Sequence, residues 1–152
     1  MCKLAEEKAR AVRFNSGNHW ILGADTIVVL GDTVLGKPQD GEDVRGMLEL
    51  LSGKEHRVIT GFCVLDPSGQ RSRLESVATR VFMKPLSEGE ISAYIATGEP
   101  FGKAGSYAIQ GIGAFMIREI KGSYTNVVGL PVCALIRSLL DIGALEEFPL
   151  RE

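Results

Sequence analysis

The sequence predicts an α/β fold built on a long, strongly twisted mixed sheet with flanking helices. Three observations predict it. Segments rich in β-branched residues recur along the chain, and stretches with helical spacing of apolar residues lie between them. The chain has 152 residues, of which 45% are hydrophobic and 24% are charged. That length and composition are typical of one globular domain with a sizeable core.

Charge and residue counts exclude several functional classes. Lys and Arg total 17 and Asp and Glu total 19, so the formal net charge is -2. That balance disfavours a nucleic-acid binder, although a few local cations suffice for a small anionic ligand. The three cysteines have no C-x-x-C spacing and the two histidines are isolated, so neither a disulfide framework nor a zinc cluster is predicted. No apolar run has membrane-spanning length, so we expect no membrane partner and a cytoplasmic location.

The first part of the chain is predicted to run helix, strand, strand and short strand. Residues 2–12 are rich in Ala, Glu, Lys and Leu, which favour a helix. Residues 21–24 and 27–30 are β-branched strand segments, joined through Asp25 and Thr26. Gly31 and Asp32 form a turn into a short strand at residues 34–35.

The middle of the chain is predicted as a helix followed by two long strands. Asp40 is a candidate N-cap, the apolar residues after it share one helix face, and Gly53 ends the helix. Residues 57–65 form a strand, and the turn composition of residues 66–69 leads into another. In that strand residues 77, 79, 81 and 83 are expected to be more buried than their neighbours.

The last third is predicted as helix, loop, strand and helix. Ser87 and Glu90 have the spacing of a capping box, which begins a short helix that ends at Gly98. The glycine-rich residues 102–113 are predicted to be mostly loop, and residues 114–120 to be a strand. Pro131 suits the first turn of the final helix, which has an apolar stripe and ends before Gly143.

Asp25 is the first candidate for chemistry. It interrupts two apolar strand segments, and a carboxylate there is costly unless it is paired, protonated or bound to a metal. The alternative is a turn aspartate that bonds its own backbone.

Two further segments are candidates for an anion and a base. Lys37 lies between Gly36 and Pro38 just before a helix, which would aim its ammonium at a phosphate, although the P-loop spacing is absent. The alternative is an exposed turn lysine. Among the small residues of 102–111, Lys103 supplies charge and Gln110 has a donor and an acceptor for a base edge; the alternative is a flexible loop.

Two weaker candidates complete the set. The polar segment 122–126 either closes over a pocket or forms a structural turn, and no G-x-S-x-G motif supports a serine hydrolase. Lys8 shares the first helix with Glu6 and Glu7, where such a run is usually a solvated charged face.

Taken together, these segments resemble the Maf-like family of nucleoside triphosphate pyrophosphatases. The similarity runs in order over nearly the whole chain. The matching segments are residues 4–5 and 8–9, Gly23-Ala24-Asp25-Thr26, Leu35-Gly36-Lys37-Pro38, Leu51-Ser52-Gly53, Thr60-Gly61, Thr97-Gly98-Glu99-Pro100, Lys103-Ala104-Gly105, Ile109-Gln110-Gly111, Gly122-Ser123-Tyr124 and residues 126–131.

The resemblance implies a fold, a reaction and a set of site residues. The fold would be inosine-triphosphate-pyrophosphatase-like, with a cleft between two lobes. The reaction would be water attack on the α-phosphate of a nucleoside triphosphate, giving the monophosphate and pyrophosphate with a divalent metal, usually Mg²⁺. Asp25 would be the catalytic residue and metal ligand, Lys37 and Lys103 would face the phosphates, Gln110 would lie near the base, and Lys8 would also contact the substrate. Gln110 implies the branch that acts on dTTP and UTP, and the family implies a homodimer.

The family's pattern also differs from this sequence in one respect. Its members begin with a strand and a Ser-x-Ser-Pro-Arg-Arg loop, followed by a further acidic residue. We therefore expect residues 1–152 to be a single Maf-like domain that lacks this N-terminal strand and phosphate-binding loop. The alternative function is a non-catalytic nucleotide-binding or cell-division regulatory protein.

Overall fold

Helices are interspersed with strands in the described part of the chain, which comprises residues 1–12 and 17–150 of a computed structural model. The α/β class and the flanking helices are confirmed. In chain order the elements are α1 (Cys2–Val12), β1 (Ile21–Leu30), β2 (Thr33–Leu35), α2 (Gly41–Leu51), β3 (Glu55–Leu65), β4 (Arg71–Met83), α3 (Glu88–Ala96), 3-10 turns over Ala104–Ser106 and Ile112–Met116, β5 (Ile117–Lys121), α4 (Tyr124–Val128) and α5 (Val132–Asp141).

Within the described residues the sheet has five strands in the order β2-β1-β3-β4-β5 and is antiparallel, so the prediction of a mixed sheet was wrong. Leu30 of β1 pairs with Thr33 of β2, which leaves only two residues for the turn between them. A tight turn also joins β3 to β4, where Asp66 and Gln70 are hydrogen bonded. Turns this short connect antiparallel neighbours, because parallel neighbours need a crossover of about a dozen residues or more.

Most predicted elements are confirmed, including their caps. The Asp40 side chain accepts a hydrogen bond from Asp43 N at 2.9 Å, and Ser87 and Glu90 form the capping box of α3. These bonds satisfy backbone N–H groups that a helix leaves unpaired in its first turn. In β4 the side chains of Thr79, Val81 and Met83 are buried, as the alternating pattern predicted.

β1 runs through Asp25 and Thr26, so the two predicted strand segments form one strand. Two element predictions were wrong. The last strand begins at Ile117 and not at residue 114, because residues 112–116 form a 3-10 turn. The polar segment after Gly122 enters the short helix α4, which was not predicted.

The backbone divides into two compact units. The first comprises Met1–Thr26, Thr60–Val77 and Gly129–Glu152, and the second comprises Ile27–Ile59 and Ala78–Val128. Each unit has its own apolar packing. The first contains two clusters, one around Cys63 and Leu65 with residues of α1, and one around Phe62 and Val64 with Leu135 of α5. Adjacent residues of β3 fall in different clusters because side chains alternate between the faces of a strand.

The second unit has one larger core. It packs α2 and α3 against the strands, with Leu48, Val81 and Tyr94 among its buried members. The prediction of a single domain over residues 1–152 stays a prediction. Within the described residues, the helices are all too short or too polar to cross a membrane.

Candidate active site

Two glycines allow α1 to lie directly on the sheet of the first unit. A Cβ at Gly23 of β1 would lie 2.1 Å from Ala5 O and 2.9 Å from Ala9 Cβ. A Cβ at Gly61 of β3 would lie 2.8 Å from Cys2 N. Ala5 and Ala9 are fully buried on the contacting face of the helix. Small residues on both surfaces therefore let the helix backbone approach the strands closely.

This packing brings Lys8 to Asp25. Lys8 Nζ donates to Asp25 Oδ1 at 2.6 Å and to Ala24 O at 3.2 Å. The Asp25 side chain is 15% exposed and that of Lys8 is 56% exposed. A lysine ammonium has three donors, so one N–H remains for another acceptor. Asp25 Oδ2 accepts no hydrogen bond from any residue that the structure describes.

The residue after Asp25 is also tied in place. Thr26 Oγ1 lies 2.9 Å from Thr60 Oγ1 of β3 and donates to Gly129 O at 3.3 Å. These bonds lie within the first unit and fix the strand on which Asp25 sits. The strand therefore holds a carboxylate in place by an ion pair on one side and a hydroxyl network on the other. The alternative of an aspartate that bonds its own backbone in a turn is wrong, because Asp25 lies inside a strand.

The loops of Lys37 and Lys103 are joined in the second unit. Gly105 N donates to Gly36 O at 3.0 Å, so the residue before Lys37 contacts the turn that follows Lys103. Gly105 has a φ of 71°, and a Cβ there would lie 2.9 Å from Val28 Cγ2. Only glycine fits both the conformation and the space. Lys37 is exposed and Lys103 is half-buried.

Ser106 stores backbone strain beside these lysines. Its φ is 62°, it is fully buried, and its Oγ lies 3.1 Å from Met47 Sδ. A non-glycine residue in this region costs on the order of 1 kcal/mol and persists only where the surroundings hold it. The surroundings therefore hold the glycine-rich segment in a defined turn, and its role as a binding loop stays a prediction.

Gln110 lies in the same segment and is exposed. Its side chain makes no hydrogen bond with the part of the chain that the structure describes, so both its donor and its acceptor remain available. The backbone on both sides is held by Glu99, whose carboxylate accepts hydrogen bonds from Ile112 N and Gly113 N, and by Tyr94, which bonds Ala108 N. Sequence reasoning assigned no role to Glu99, although it lies in the matching segment Thr97-Gly98-Glu99-Pro100.

The polar segment 122–126 leads into α4 and is bound to strands of the second unit. Asn126 is fully buried, and its Nδ2 donates to Val58 O at 3.0 Å and to Thr79 Oγ1 at 2.9 Å. Ser123 N donates to Thr79 Oγ1 at 3.1 Å. These bonds tie the segment to strands of the second unit, which supports the structural alternative over a pocket lid.

The described side chains supply only some of the ligands that a metal ion needs. Among the described residues, no three or more His, Cys, Asp or Glu side chains converge to hold an ion. Asp25 offers one carboxylate oxygen that accepts no bond from the described part of the chain. Mg²⁺ is commonly bound through one or two carboxylates while substrate phosphates and water complete its octahedron. Asp25 therefore fits a shared site of that kind and not a cage built by the protein alone.

The predicted site residues thus fall in two groups. Lys8 and Asp25 contact each other in the first unit, whereas Lys37, Lys103 and Gln110 lie in the second, where Gly36 and Gly105 join the two lysine loops. The first group can bind a cation or accept a proton, and the second can bind anions and a hydrogen-bonding ring.

Comparison with known proteins gives one family. The family model described as "Maf-like protein" matches residues 1–142. A dTTP/UTP pyrophosphatase of Geobacter metallireducens is 50% identical over 143 residues, which are 94% of this chain and 74% of the relative. A dTTP/UTP pyrophosphatase of Syntrophotalea carbinolica is 51% identical over 148 residues, which are 96% of this chain and 67% of the relative. A dTTP/UTP pyrophosphatase of Desulfotalea psychrophila is 46% identical over 140 residues, which are 92% of this chain and 72% of the relative. The chain therefore belongs to the Maf-like protein family.

Proposed function

We propose that this chain hydrolyses dTTP and UTP to the monophosphate and pyrophosphate on an inosine-triphosphate-pyrophosphatase-like fold. The single observation that carries the proposal is the Lys8–Asp25 ion pair. The Asp25 carboxylate lies inside a strand, is 15% exposed, and has one oxygen without a partner among the described residues. The names of relatives at about 50% identity support the substrates.

In the proposed reaction, Asp25 and the lysines have different roles. A water molecule attacks the α-phosphorus, its proton passes to the Asp25 carboxylate, and the bond from the α-phosphorus to the bridging oxygen of pyrophosphate breaks. Lys8, Lys37 and Lys103 offset the negative charge of the phosphates. Positioning and charge neutralisation supply most of the rate in such reactions.

Asp25 is also the residue that would hold a divalent metal, which we propose to be Mg²⁺. The ion, when bound, neutralises phosphate charge and polarises the phosphorus centre. Lys8 keeps the Asp25 side chain in one orientation through Oδ1 and leaves Oδ2 for the ligand or the proton.

Gln110 supplies the base contact in this proposal. Its amide has a donor and an acceptor side by side, and the edge of uracil or thymine has an N–H beside a carbonyl. The exposed position of Gln110, without a partner among the described residues, supports this role.

Replacing Asp25 by Asn tests the catalytic role. D25N keeps the shape but removes the charge that takes up the proton, so pyrophosphate release from UTP with Mg²⁺ should fall by about 100-fold or more. D32N is the matched control, since Asp32 is an exposed turn residue between β1 and β2 and should retain activity. Chelation with EDTA should abolish release by the wild-type chain.

Other outcomes of these assays would contradict the proposal or favour the alternative. D25N activity close to that of the wild type would contradict the role of Asp25. A wild-type chain that binds UTP but never releases pyrophosphate would favour the non-catalytic alternative. The homodimer and the cytoplasmic location stay predictions, which size-exclusion chromatography and cell fractionation test.

A further inference from the structure

Glu99 is a carboxylate that binds only groups of its own chain. Its Oε2 accepts hydrogen bonds from Tyr94 Oη at 2.6 Å and Gly113 N at 2.8 Å, and its Oε1 accepts from Ile112 N at 2.8 Å. All of these groups belong to the second unit. Three donors thus converge on one side chain, which leaves little capacity for a ligand.

The turn after Gln110 is shaped to fit this carboxylate. A Cβ at Gly111 would lie 1.9 Å from Glu99 Oε1, and a Cβ at Gly113 would lie 2.7 Å from Tyr94 Oη. Neither position has room for a side chain. The backbone on the C-terminal side of Gln110 is therefore packed directly against Glu99 and its partner.

The backbone on the other side is held through Tyr94. Tyr94 is 2% exposed on α3, and its Oη accepts a hydrogen bond from Ala108 N at 3.2 Å while it donates to Glu99. Gln110 consequently lies in a short segment that is fixed at both ends by one Tyr94–Glu99 pair. The exposed amide is therefore carried by a backbone that is hydrogen bonded on both sides.

The charge of Glu99 matches this arrangement. Burial raises the pKa of Glu99, but the hydrogen bonds from Tyr94, Gly113 and Ile112 and the positive charge of Lys103 together hold it below its usual range. Burial, and the neighbouring Glu99, raise the pKa of Tyr94. Glu99 is thus an acceptor and Tyr94 a donor throughout the neutral pH range.

We propose that Glu99 is a positioning residue for base recognition: by fixing the backbone on both sides of Gln110, it sets the position from which the Gln110 side chain reaches the base edge. The inference rests on the proposed function, in which Gln110 contacts the base. It adds a residue that touches no substrate and acts through the segment 108–113.

The reason why orientation matters lies in the chemistry of an amide. Uracil and thymine have an N–H donor next to a carbonyl acceptor, whereas cytosine has an amino donor next to a ring-nitrogen acceptor. An amide that is free to turn over pairs with either arrangement, because its donor and acceptor simply change places. Discrimination therefore requires that the side chain start from a fixed backbone position, from which only one of the two amide orientations meets the base edge.

The test is the preference for UTP over CTP in the variants E99Q and E49Q. Gln at position 99 has one acceptor oxygen for three donors, so at least one backbone N–H loses its partner. We expect kcat/KM for UTP relative to CTP to fall about tenfold in E99Q through KM, with kcat nearly unchanged, since one lost buried hydrogen bond has that effect. Glu49 is exposed on α2 without a partner among the described residues, so E49Q should keep the wild-type preference.

A second variant covers the case in which E99Q does not fold. Y94F removes the hydroxyl that joins Ala108 to Glu99 and leaves the carboxylate in place, so the preference should fall by a smaller factor. Hydrogen exchange should show faster exchange of the Ile112 and Gly113 amides in E99Q and of the Ala108 amide in Y94F. Slower release with an unchanged UTP preference would indicate a structural role only and would overturn the inference.

Binding measurements separate this inference from the proposed function. The probes are the α,β-methylene analogues of UTP and CTP, which are not hydrolysed at the α–β bridge. If the wild-type chain prefers the UTP analogue and E99Q does not, the inference holds even where turnover fails. If E99Q keeps the preference, the inference is wrong while the proposed function stands, and if the wild-type chain binds neither analogue, both are wrong.

Discussion

His56 is a buried histidine in β3 whose titration opposes folding in acid. It is 2% exposed, and its Nε2 lies 2.8 Å from Tyr107 Oη, which is also buried. Burial lowers the pKa of His56 to about 4, because the charged imidazolium would be desolvated. His56 is therefore neutral at pH 7. The contact ties the segment that carries Lys103 and Gln110 to β3.

This depressed pKa predicts a loss of stability in mild acid. Below pH 6.5, the ordinary pKa, the unfolded chain takes up a proton that the folded chain refuses until about pH 4, so stability is lost as the pH falls through this window. We expect the free energy of unfolding in urea to decrease by about 2 kcal/mol between pH 7 and pH 5.

Two variants assign this effect to His56. H56Q removes the titrating group and should flatten the dependence. H19Q changes an exposed histidine and should retain it. An equally steep dependence in H56Q would assign the effect to other groups.

Helix α1 packs against two glycines that have no side chain. Gly23 and Gly61 offer bare backbone where Ala5, Ala9 and Cys2 pack, and this contact places Lys8 beside Asp25. The same helix with an ordinary strand beneath it would lie farther from the sheet, because each Cβ must be accommodated. A site contact therefore depends on glycines that touch no ligand.

The substitution G23A should destabilise the fold and weaken the Lys8–Asp25 contact. Its Cβ would meet the backbone at Ala5 O, which cannot rotate away, and overpacking of this kind costs about 1–3 kcal/mol. The measurement is the midpoint of urea unfolding. The control is G46A on α2, where a Cβ meets nothing within 4 Å, and it should stabilise the protein by about 0.5–1 kcal/mol. Equal effects of the two substitutions would refute the packing argument.

At the scale of the whole molecule, overall charge does not favour the proposed substrate. The net charge is -2, so attraction of a polyphosphate must come from individual lysines. Lys37 and Lys103 lie on joined loops, and such local charges act over roughly 10 Å at 0.1 M salt. Ionic strength should consequently control KM more than kcat.

The substitution K37M should raise KM for UTP at low salt and reduce the dependence of KM on ionic strength. A change of about tenfold in KM is expected for loss of one charge-assisted hydrogen bond. K3M is the control, since the Lys3 side chain is 91% exposed and its Nζ lies as far as 3.9 Å from Glu7 Oε1. Identical salt dependence in K37M and the wild type would mean that Lys37 does not meet the phosphates.

The sequence alone determined the features that depend on near neighbours in the chain. Capping residues, turn glycines and apolar spacing predicted α1, α2, α3 and the paired long strands, since these structures are formed by residues a few positions apart. Ordered motifs identified the family, and residue type selected Asp25, Lys37, Lys103 and Gln110 as candidates.

Tertiary structure alone decided which of these residues meet and what holds them. Lys8 and Asp25 are 17 positions apart, and Ile112 is 13 positions from Glu99. The start of β5 was misplaced because Ala114 N donates to Gly111 O within a 3-10 turn, which Ile112 and Gly113 attach to Glu99, instead of pairing with a neighbouring strand. Burial, a Cβ clash or a shared carboxylate arises only when distant segments pack together, so local propensity carries no information about it.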